Sequence, residues 1–260
     1  MLSSDIQINR QAFPWGRAYI VEGAGKAPLI LPSVTTVLKL VKNEKYEKLR
    51  IEFGEKRWDK IMHDAAERGT IMHTMLELFL LEWAKDKNVD RSLKKAQIYA
   101  IEESRKEDGK YLGYVNKGRD LFWNFYHDKF WENISEIVDN EVFLYTTFKG
   151  GWAGACDFVY RDLEHNLIVE DFKSSTSFKE EDDIFGYKLQ ISAYMFMCAE
   201  KYGEVPKMGK IRISNEQSSE IQTFIVQDYE LKHYLSHFIE LAKEFRKINE
   251  IPETYLNPNV

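Results

Sequence analysis

Around residue 140 the hydrophobic pattern of this chain changes its period, and few folds accommodate such a change. Before that point apolar residues recur at three- and four-residue steps. Ile61, Ala65, Met72, Leu76, Phe79 and Leu80 form such a series and predict one long helix over residues 58–87. Residues 91–106 and 113–135 continue it, the second carrying Leu121, Phe122, Phe125, Tyr126 and Phe130. From Glu141 the segments are short and rich in β-formers: EVFLYTTF, GACDFVYR and NLIVEDFK, separated by the turn-forming FKGG and RDLEHN. A three-stranded meander is expected there. A helix at about 184–202, strands at KIRIS and IQTFIV, and a closing helix from about 228 to 249 follow.

The first thirty residues read as irregular or strand structure, after which LPSVTTVLKLV places Pro32 and Ser33 ahead of an apolar run, a helix start. Gly69, inside the long helix, marks close packing or a bend. No repeat and no Pro- or Gly/Ser-rich linker divides the chain. It reads as a single domain over residues 1–260, mainly helical to about 140 and then, over 141–260, a sheet flanked by helices: an α/β or α+β chain.

Thirty-six Lys and Arg against 42 Asp and Glu leave a net charge of −6, so no global positive field attracts nucleic acid. Any anionic partner must be held locally. The two cysteines, Cys156 and Cys198, are too few for a disulfide framework, a four-thiolate zinc site or an iron–sulfur cluster held only by cysteine. They fit a reducing, intracellular setting. The start MLSSDIQINRQAFPWGR has no apolar leader core, and no stretch is long and apolar enough to span a membrane. A cytoplasmic location is expected, in the host cell if the origin is viral.

The chemistry concentrates in the strand NLIVEDFK. Alternation puts Asp171 and Lys173 on one face, about 7 Å apart at Cα, with Phe172 on the other. The preceding strand carries Asp157, and the short RDLEHN connection makes the two an antiparallel hairpin in which Asp157 and Asp171 converge at one end. Two carboxylates so held share a proton or bind a cation, and their oxygens suit Mg²⁺ or Mn²⁺. A lysine beside them can hold an attacking water and offset charge on a phosphate, the set that phosphodiester hydrolysis needs. The Asp/Glu-x-Lys pattern is weak by itself, because Asp108–Lys110 and Glu230–Lys232 repeat it. In isolation, Asp171–Lys173 reads equally as a metal site or a salt-bridged strand end.

An ordered set of motifs narrows the choice: GACD (Gly154 to Asp157), Asp171-Phe172-Lys173, then Gln190 and Tyr194 in YKLQISAYMF, with RGTIMH (Arg68 to His73) upstream. Over about residues 30–200 the chain resembles the RecB-like exonuclease branch of the PD-(D/E)xK nuclease superfamily, and PSVTTVL adds a likeness to mitochondrial genome maintenance exonucleases and phage relatives. The resemblance implies a restriction-endonuclease-like α/β fold with a mixed central sheet. It also implies that His73, Asp157, Asp171 and the Phe172 carbonyl hold Mg²⁺ or Mn²⁺, the imidazole moving the preference toward Mn²⁺. Lys173 would be the catalytic lysine, and Gln190 and Tyr194 would orient it or a substrate phosphate. The four-cysteine iron–sulfur cluster of some relatives is not expected here.

Other residues keep two readings. Glu77, one turn after His73, is either a partner that fixes the imidazole tautomer or a solvated helix charge. Glu141 is either an additional acid near the metal or an ordinary strand-entry glutamate. Ser174 and Ser175 either donate to a substrate phosphate or form a turn. Ser33 and Thr35, at the start of the PSVTTVL helix, are candidate phosphate contacts, next to a basic run of Lys42, Lys45, Lys48 and Arg50 that also reads as a solvated face. The stripe Phe122, Trp123, Phe125, Tyr126, Phe130 and Trp131 reads as core before it reads as a base-stacking platform. The expected function is a metal-dependent DNA nuclease of replication, recombination or repair, an exonuclease on single-stranded ends. A nucleic-acid-binding protein without turnover, a structure-specific endonuclease and a hydrolase of another substrate are the competing readings.

Overall fold

Two antiparallel strands, β1 (Gln7–Phe13) and β2 (Gly16–Glu22), open the chain around the two-residue turn Pro14–Trp15. In this computed structural model, which describes residues 7–23, 28–41, 44–106 and 109–251, β3 (Leu29–Pro32) pairs with β2 to complete a small sheet. Lys42 and Asp108 lie outside the described residues. The helix expected after Ser33 is a single turn, α1 (Val34–Val37), followed by a 3-10 turn at Leu38–Leu40. Four consecutive β-branched residues, Val34 to Val37, lose side-chain freedom in a helix, which accounts for its brevity. Four helices follow: α2 (Glu44–Phe53), α3 (Glu55–Asp86), α4 (Val89–Ser104) and α5 (Gly109–Asp128).

The helical reading of residues 113–135 is corrected at its end. Lys129 adopts a left-handed backbone (φ 56°) that stops α5, a 3-10 turn covers Phe130–Asn133, and β4 runs over Ile134–Thr146. Its first half was hidden because register shifts fall at Ile134/Glu136 and Ile137/Asp139, and a bulge erases the two-residue alternation by which a strand is recognised. Downstream the order is as expected: β5 (Trp152–Asp162), β6 (Leu167–Ser175), α6 (Phe185–Tyr202), β7 (Met208–Asn215), β8 (Ser218–Gln227) and α7 (Asp228–Ile248). The second Asp/Glu-x-Lys pattern belongs to α7, where Glu230 accepts from the Gln227 amide as part of a capping box.

The main sheet has the order β4-β5-β6-β7-β8. β4, β5 and β6 form an antiparallel meander, β6 and β7 are parallel across α6, and β8 returns antiparallel. It is a mixed five-stranded sheet with helices on both faces. One face buries Val169, Ile211 and Ile213 under α6 and α7. The other buries Phe158, Ile168 and Phe172 under α3 and α5, where Phe122, Phe125, Phe130 and Trp131 are core, each worth about 1.5–3 kcal/mol of burial. Among the described residues no helix is long and apolar enough to cross a membrane.

A buried ionic group braces β6 from behind. Glu170, 0% exposed, is 2.7 Å from the Arg212 Nε of neighbouring β7 and accepts from the Tyr160 hydroxyl at 3.0 Å. Arg212 also donates to Asp128 at 2.7 Å, which ties the end of α5 to the sheet. Replacing one member of such a pair strands the other charge in the core. Arg212→Met should lower unfolding free energy by about 3–5 kcal/mol in urea melts; an unchanged midpoint would show that Glu170 does not depend on it.

Candidate active site

The pairing of β5 with β6 ends at Phe158↔Glu170, so one residue further Asp157 and Asp171 face each other across an opening gap. On its β5 side Phe172 has no ladder partner, and its amide donates to Asp157 Oδ2 at 2.7 Å. A strand residue points its amide and carbonyl to the same side, so the Phe172 carbonyl opens toward this gap as well. Its ring turns the other way and packs 5.2 Å from Phe125 and 5.6 Å from Phe130.

On β4 the pairing with β5 skips one position between Asn140↔Phe158 and Val142↔Cys156. That position is Glu141, held at φ 51°, a conformation that costs a non-glycine residue about 1–3 kcal/mol. The distortion brings its carboxylate to the same end of the sheet. His73 arrives from α3, its Nδ1 3.5 Å from Asp157 Oδ2. Donor atoms of His73, Glu141 and Asp157 all lie within 4.8 Å of one another.

Lys173 contacts Asp171 through its ammonium, which also lies 5.5 Å from the centre of the Tyr187 ring. From α6, Gln190 donates to Asp171 Oδ1 at 3.2 Å and to the Tyr194 hydroxyl at 3.2 Å. Asp171 and Gln190 are 2% and 5% exposed, so both are fixed at the cleft floor. Tyr187, Gln190 and Tyr194 share one face of α6 by their three- and four-residue spacing. Tyr187 was missed in the sequence, although it stands one turn before Gln190. Gly154 explains the close approach of α6: a Cβ there would sit 2.8 Å from the Tyr194 ring. Gly69 does the same for α3, where a Cβ would lie 3.2 Å from the Ser174 hydroxyl.

His73, Glu141, Asp157, Asp171, Lys173, Gln190 and Tyr194 line one cleft of about 600 Å³, together with Glu77, Ser174, Ser33 and Thr35. Desolvation in it, and then Lys173, lower the His73 pKa to about 4, so the imidazole is neutral and able to ligate. Burial raises Asp157 and Asp171 each to about 6 against the opposing pull of Lys173. Glu141 rises to about 8 through desolvation and then repulsion by Asp157 and Glu77. Burial works against the Lys173 charge, yet the attraction of Asp171 and Asp157 prevails and raises its pKa.

Some expected residues have other duties. Ser175 is not in the cleft: its hydroxyl donates to the Ser177 carbonyl at 2.7 Å and accepts from the Ser177 amide at 3.2 Å, the turn chemistry of a strand end. Ser33 caps α1, accepting from the Thr36 amide at 3.1 Å, while Thr35 stays exposed. No hydrogen bond joins Glu77 to the His73 ring; its carbonyl accepts from Asn140. Lys45, Lys48 and Arg50 are paired with Asp183, Glu44 and Glu55 on the exposed side of α2. Arg10 of β1 and Arg17 of β2 line the cleft without having been expected there. Their signal was a hairpin around Pro14–Trp15 that brings two arginines to one face.

Gly154→Val should drive Tyr194 out of contact, costing about 1–3 kcal/mol by overpacking. The melting temperature tests the cost, and loss of the Tyr194 hydroxyl partner of Gln190 would be seen in a crystal structure of the variant.

No curated protein matches the chain. Solved structures that resemble it include a candidate exonuclease from Eubacterium rectale, 14% identical, with 70% of this chain and 68% of that chain covered and a TM-score of 0.48. Another is the protein SSO0001, 13% identical, with 59% and 72% covered and a TM-score of 0.36. The family model of the PD-(D/E)XK nuclease superfamily matches residues 45–256, a span that holds the mixed sheet, His73, Glu141, Asp157, Asp171, Lys173 and Gln190. The chain belongs to the PD-(D/E)XK nuclease superfamily.

Proposed function

We propose that the protein is a divalent-metal-dependent deoxyribonuclease that trims single-stranded DNA ends. The observation that carries the reading is the meeting, in one cleft, of the His73, Glu141 and Asp157 donors with Asp171 and Lys173. The size of the cleft supports a single strand: about 600 Å³ is the scale of one small-molecule ligand, a nucleotide or two and not a duplex. On the Tyr187 side, α2 is tied to the connection between β6 and α6 by Lys45–Asp183 at 2.9 Å and by Lys179 donating to the Tyr46 hydroxyl at 3.2 Å. A strand bounded on that flank enters more easily by a free end than by its middle.

The donors fit a hard divalent cation of the Mg²⁺ and Mn²⁺ class. Asp157, Asp171 and the Phe172 carbonyl offer oxygen, Glu141 stands ready as a further acid, and one neutral imidazole adds affinity for Mn²⁺. The ion, when bound, supplies Lewis acidity toward phosphate oxygens and water. The Lys173 ammonium, steered by Asp171, holds the attacking water and stabilises charge on the phosphoryl oxygens. Gln190 fixes the Asp171 carboxylate by its amide hydrogen bond. Ser174 and Thr35 offer hydroxyl donors to neighbouring phosphate oxygens. Replication, recombination or repair inside the cell is the setting in which such trimming is used.

Two measurements test this. Thermal unfolding with Mn²⁺ at about one hundred times its dissociation constant should show about 2.7 kcal/mol of added stability, lost in Asp157→Asn; equal shifts in both proteins would remove Asp157 from the metal site. Cleavage of end-labelled linear and of circular DNA, single- and double-stranded, should consume only linear single strands, need Mg²⁺ or Mn²⁺, and fall about 10²–10³-fold in Lys173→Ala while that variant stays folded. Cut circles would establish an endonuclease instead. Tight binding without cleavage would make the fold a binding platform.

A further inference from the structure

The matched family region begins at residue 45, yet one wall of the cleft is built before it, by the small sheet β1-β2-β3. In the β1–β2 register Arg10 faces Tyr19 and Ala12 faces Arg17, so these four side chains stand on one face of the hairpin. Arg10 and Arg17 are therefore diagonal neighbours, about 7–8 Å apart. The face has two parts. Tyr19, with Val21, Leu29 and Leu31, is buried against Ala153, and its ring lies 4.9 Å from that of Phe143 on β4. The two arginines extend the same face beyond this apolar anchor, over the cleft.

Arg17 is also pinned through its backbone. Its amide donates to the Thr36 hydroxyl at 3.1 Å, and its carbonyl accepts from the Ser33 amide at 3.0 Å. Both guanidinium groups are exposed, and among the described residues neither has a carboxylate within ion-pair distance. Arg50, Arg68, Arg161 and Arg212 all have one. In a chain of net charge −6, with four carboxylates inside the same cleft, two arginines held on a rigid strand pair without partners are complementary to an anion that arrives from outside.

We propose that Arg10 and Arg17 form a phosphate clamp that grips the backbone of the substrate strand next to the reacting phosphate, a proposal that rests on the nuclease reading of the cleft. The planar forks suit phosphate oxygens and read no base, so the clamp supplies affinity and register and not sequence preference. Arg10 and Arg17 are binding residues and take no part in bond breaking.

The test compares four full-length proteins: wild type, Arg10→Ala/Arg17→Ala, Arg10→Lys/Arg17→Lys, and a control, Lys94→Ala/Lys95→Ala, on the exposed side of α4. Binding of a fluorescent single-stranded oligonucleotide is followed by anisotropy over a salt series with Ca²⁺ in place of the catalytic ion, and cleavage kinetics are followed with Mn²⁺. The alanine pair should lower the slope of log affinity against log salt by about 1.4, which is about 0.7 for each phosphate no longer neutralised. It should raise KM and leave kcat at saturating substrate unchanged, with an unchanged melting temperature. The lysine pair should recover the slope, and the control should match wild type. Equal slopes and equal KM in wild type and the alanine pair would overturn the clamp while leaving Lys173-dependent cleavage intact. A wild-type protein that neither binds nor cuts nucleic acid would overturn the clamp together with the nuclease reading.

Discussion

Repulsion among carboxylates at one end of the sheet is the constraint that the rest of the structure answers. Asp157 and Asp171 converge with side chains only 13% and 3% exposed, the more exposed Glu141 joins them, and at an effective dielectric of about 20 two unit charges 4 Å apart repel by about 4 kcal/mol. The protein responds in the only ways open to it. Lys173 sits among them as an internal counterion, while desolvation, with charge repulsion a smaller addition, raises the carboxyl pKa values to about 6 for the two aspartates and about 8 for Glu141. A raised carboxyl pKa means that the folded state binds the proton more tightly than the unfolded chain. The contribution of these groups to stability is therefore greatest at low pH and falls as pH climbs from the ordinary carboxylate range through those values. A bound divalent cation removes the same repulsion, so the arrangement that is costly when empty is the one that gains most from an occupant.

Holding such a cluster together takes a scaffold that cannot relax. β6 is the central strand, and its two faces show two treatments of buried charge. On the face toward α5, Glu170 is paired with Arg212, accepts from the Tyr160 hydroxyl and is fully buried. On the other, Asp171 is balanced by Lys173 and Gln190 but opens to the cleft. The first arrangement fixes the strand, and the second is left free to react. Asp157 is steadied by the Phe172 amide, a donor available only because the β5–β6 ladder stops one residue earlier. The end of the ladder thus serves the site directly.

The sequence was most legible where local periodicity and tertiary role agree. Helix α3, the meander β4-β5-β6 and the helix between two strands stand out because burial on one side repeats at the helical or strand period. The pairing of Asp171 with Lys173 could be placed on one face from alternation alone, and the helical aromatic stripe around Phe125 could be assigned to the core. What escaped was set by irregularity or by long-range contact. The bulged first half of β4 loses its alternation, and the end of α5 depends on a left-handed Lys129 that no propensity predicts. The position of Ser175 was decided by a turn with Ser177, two residues away, while its neighbour Ser174 kept its place in the cleft. Glu141 was ambiguous because its approach depends on a positive φ inside a strand. The N-terminal hairpin is exposed along most of β1, so its pattern lacks the apolar face by which strands are found.

That hairpin changes how the electrostatics of the cleft are understood. The floor is acidic, and at neutral pH an incoming phosphodiester would be repelled by Asp157 and Asp171 unless a cation lies between them. The wall formed by Arg10 and Arg17 has the opposite sign and lies outside the charge cluster, so in the proposed reading it would attract the strand without neutralising the groups assigned to the ion. Arginines that reached Asp157 or Glu141 would fill the place proposed for the cation and lose their own charge to the pairing. Separating the two signs, with the proposed metal donors on the main sheet and α3 and the guanidinium groups on a separate small sheet anchored by Tyr19, keeps each available for its own partner. In the proposed reading cation and strand would favour each other's binding, because the cation removes repulsion that the strand would meet alone. In a chain of net charge −6 this local arrangement replaces the global positive field that the sequence lacks.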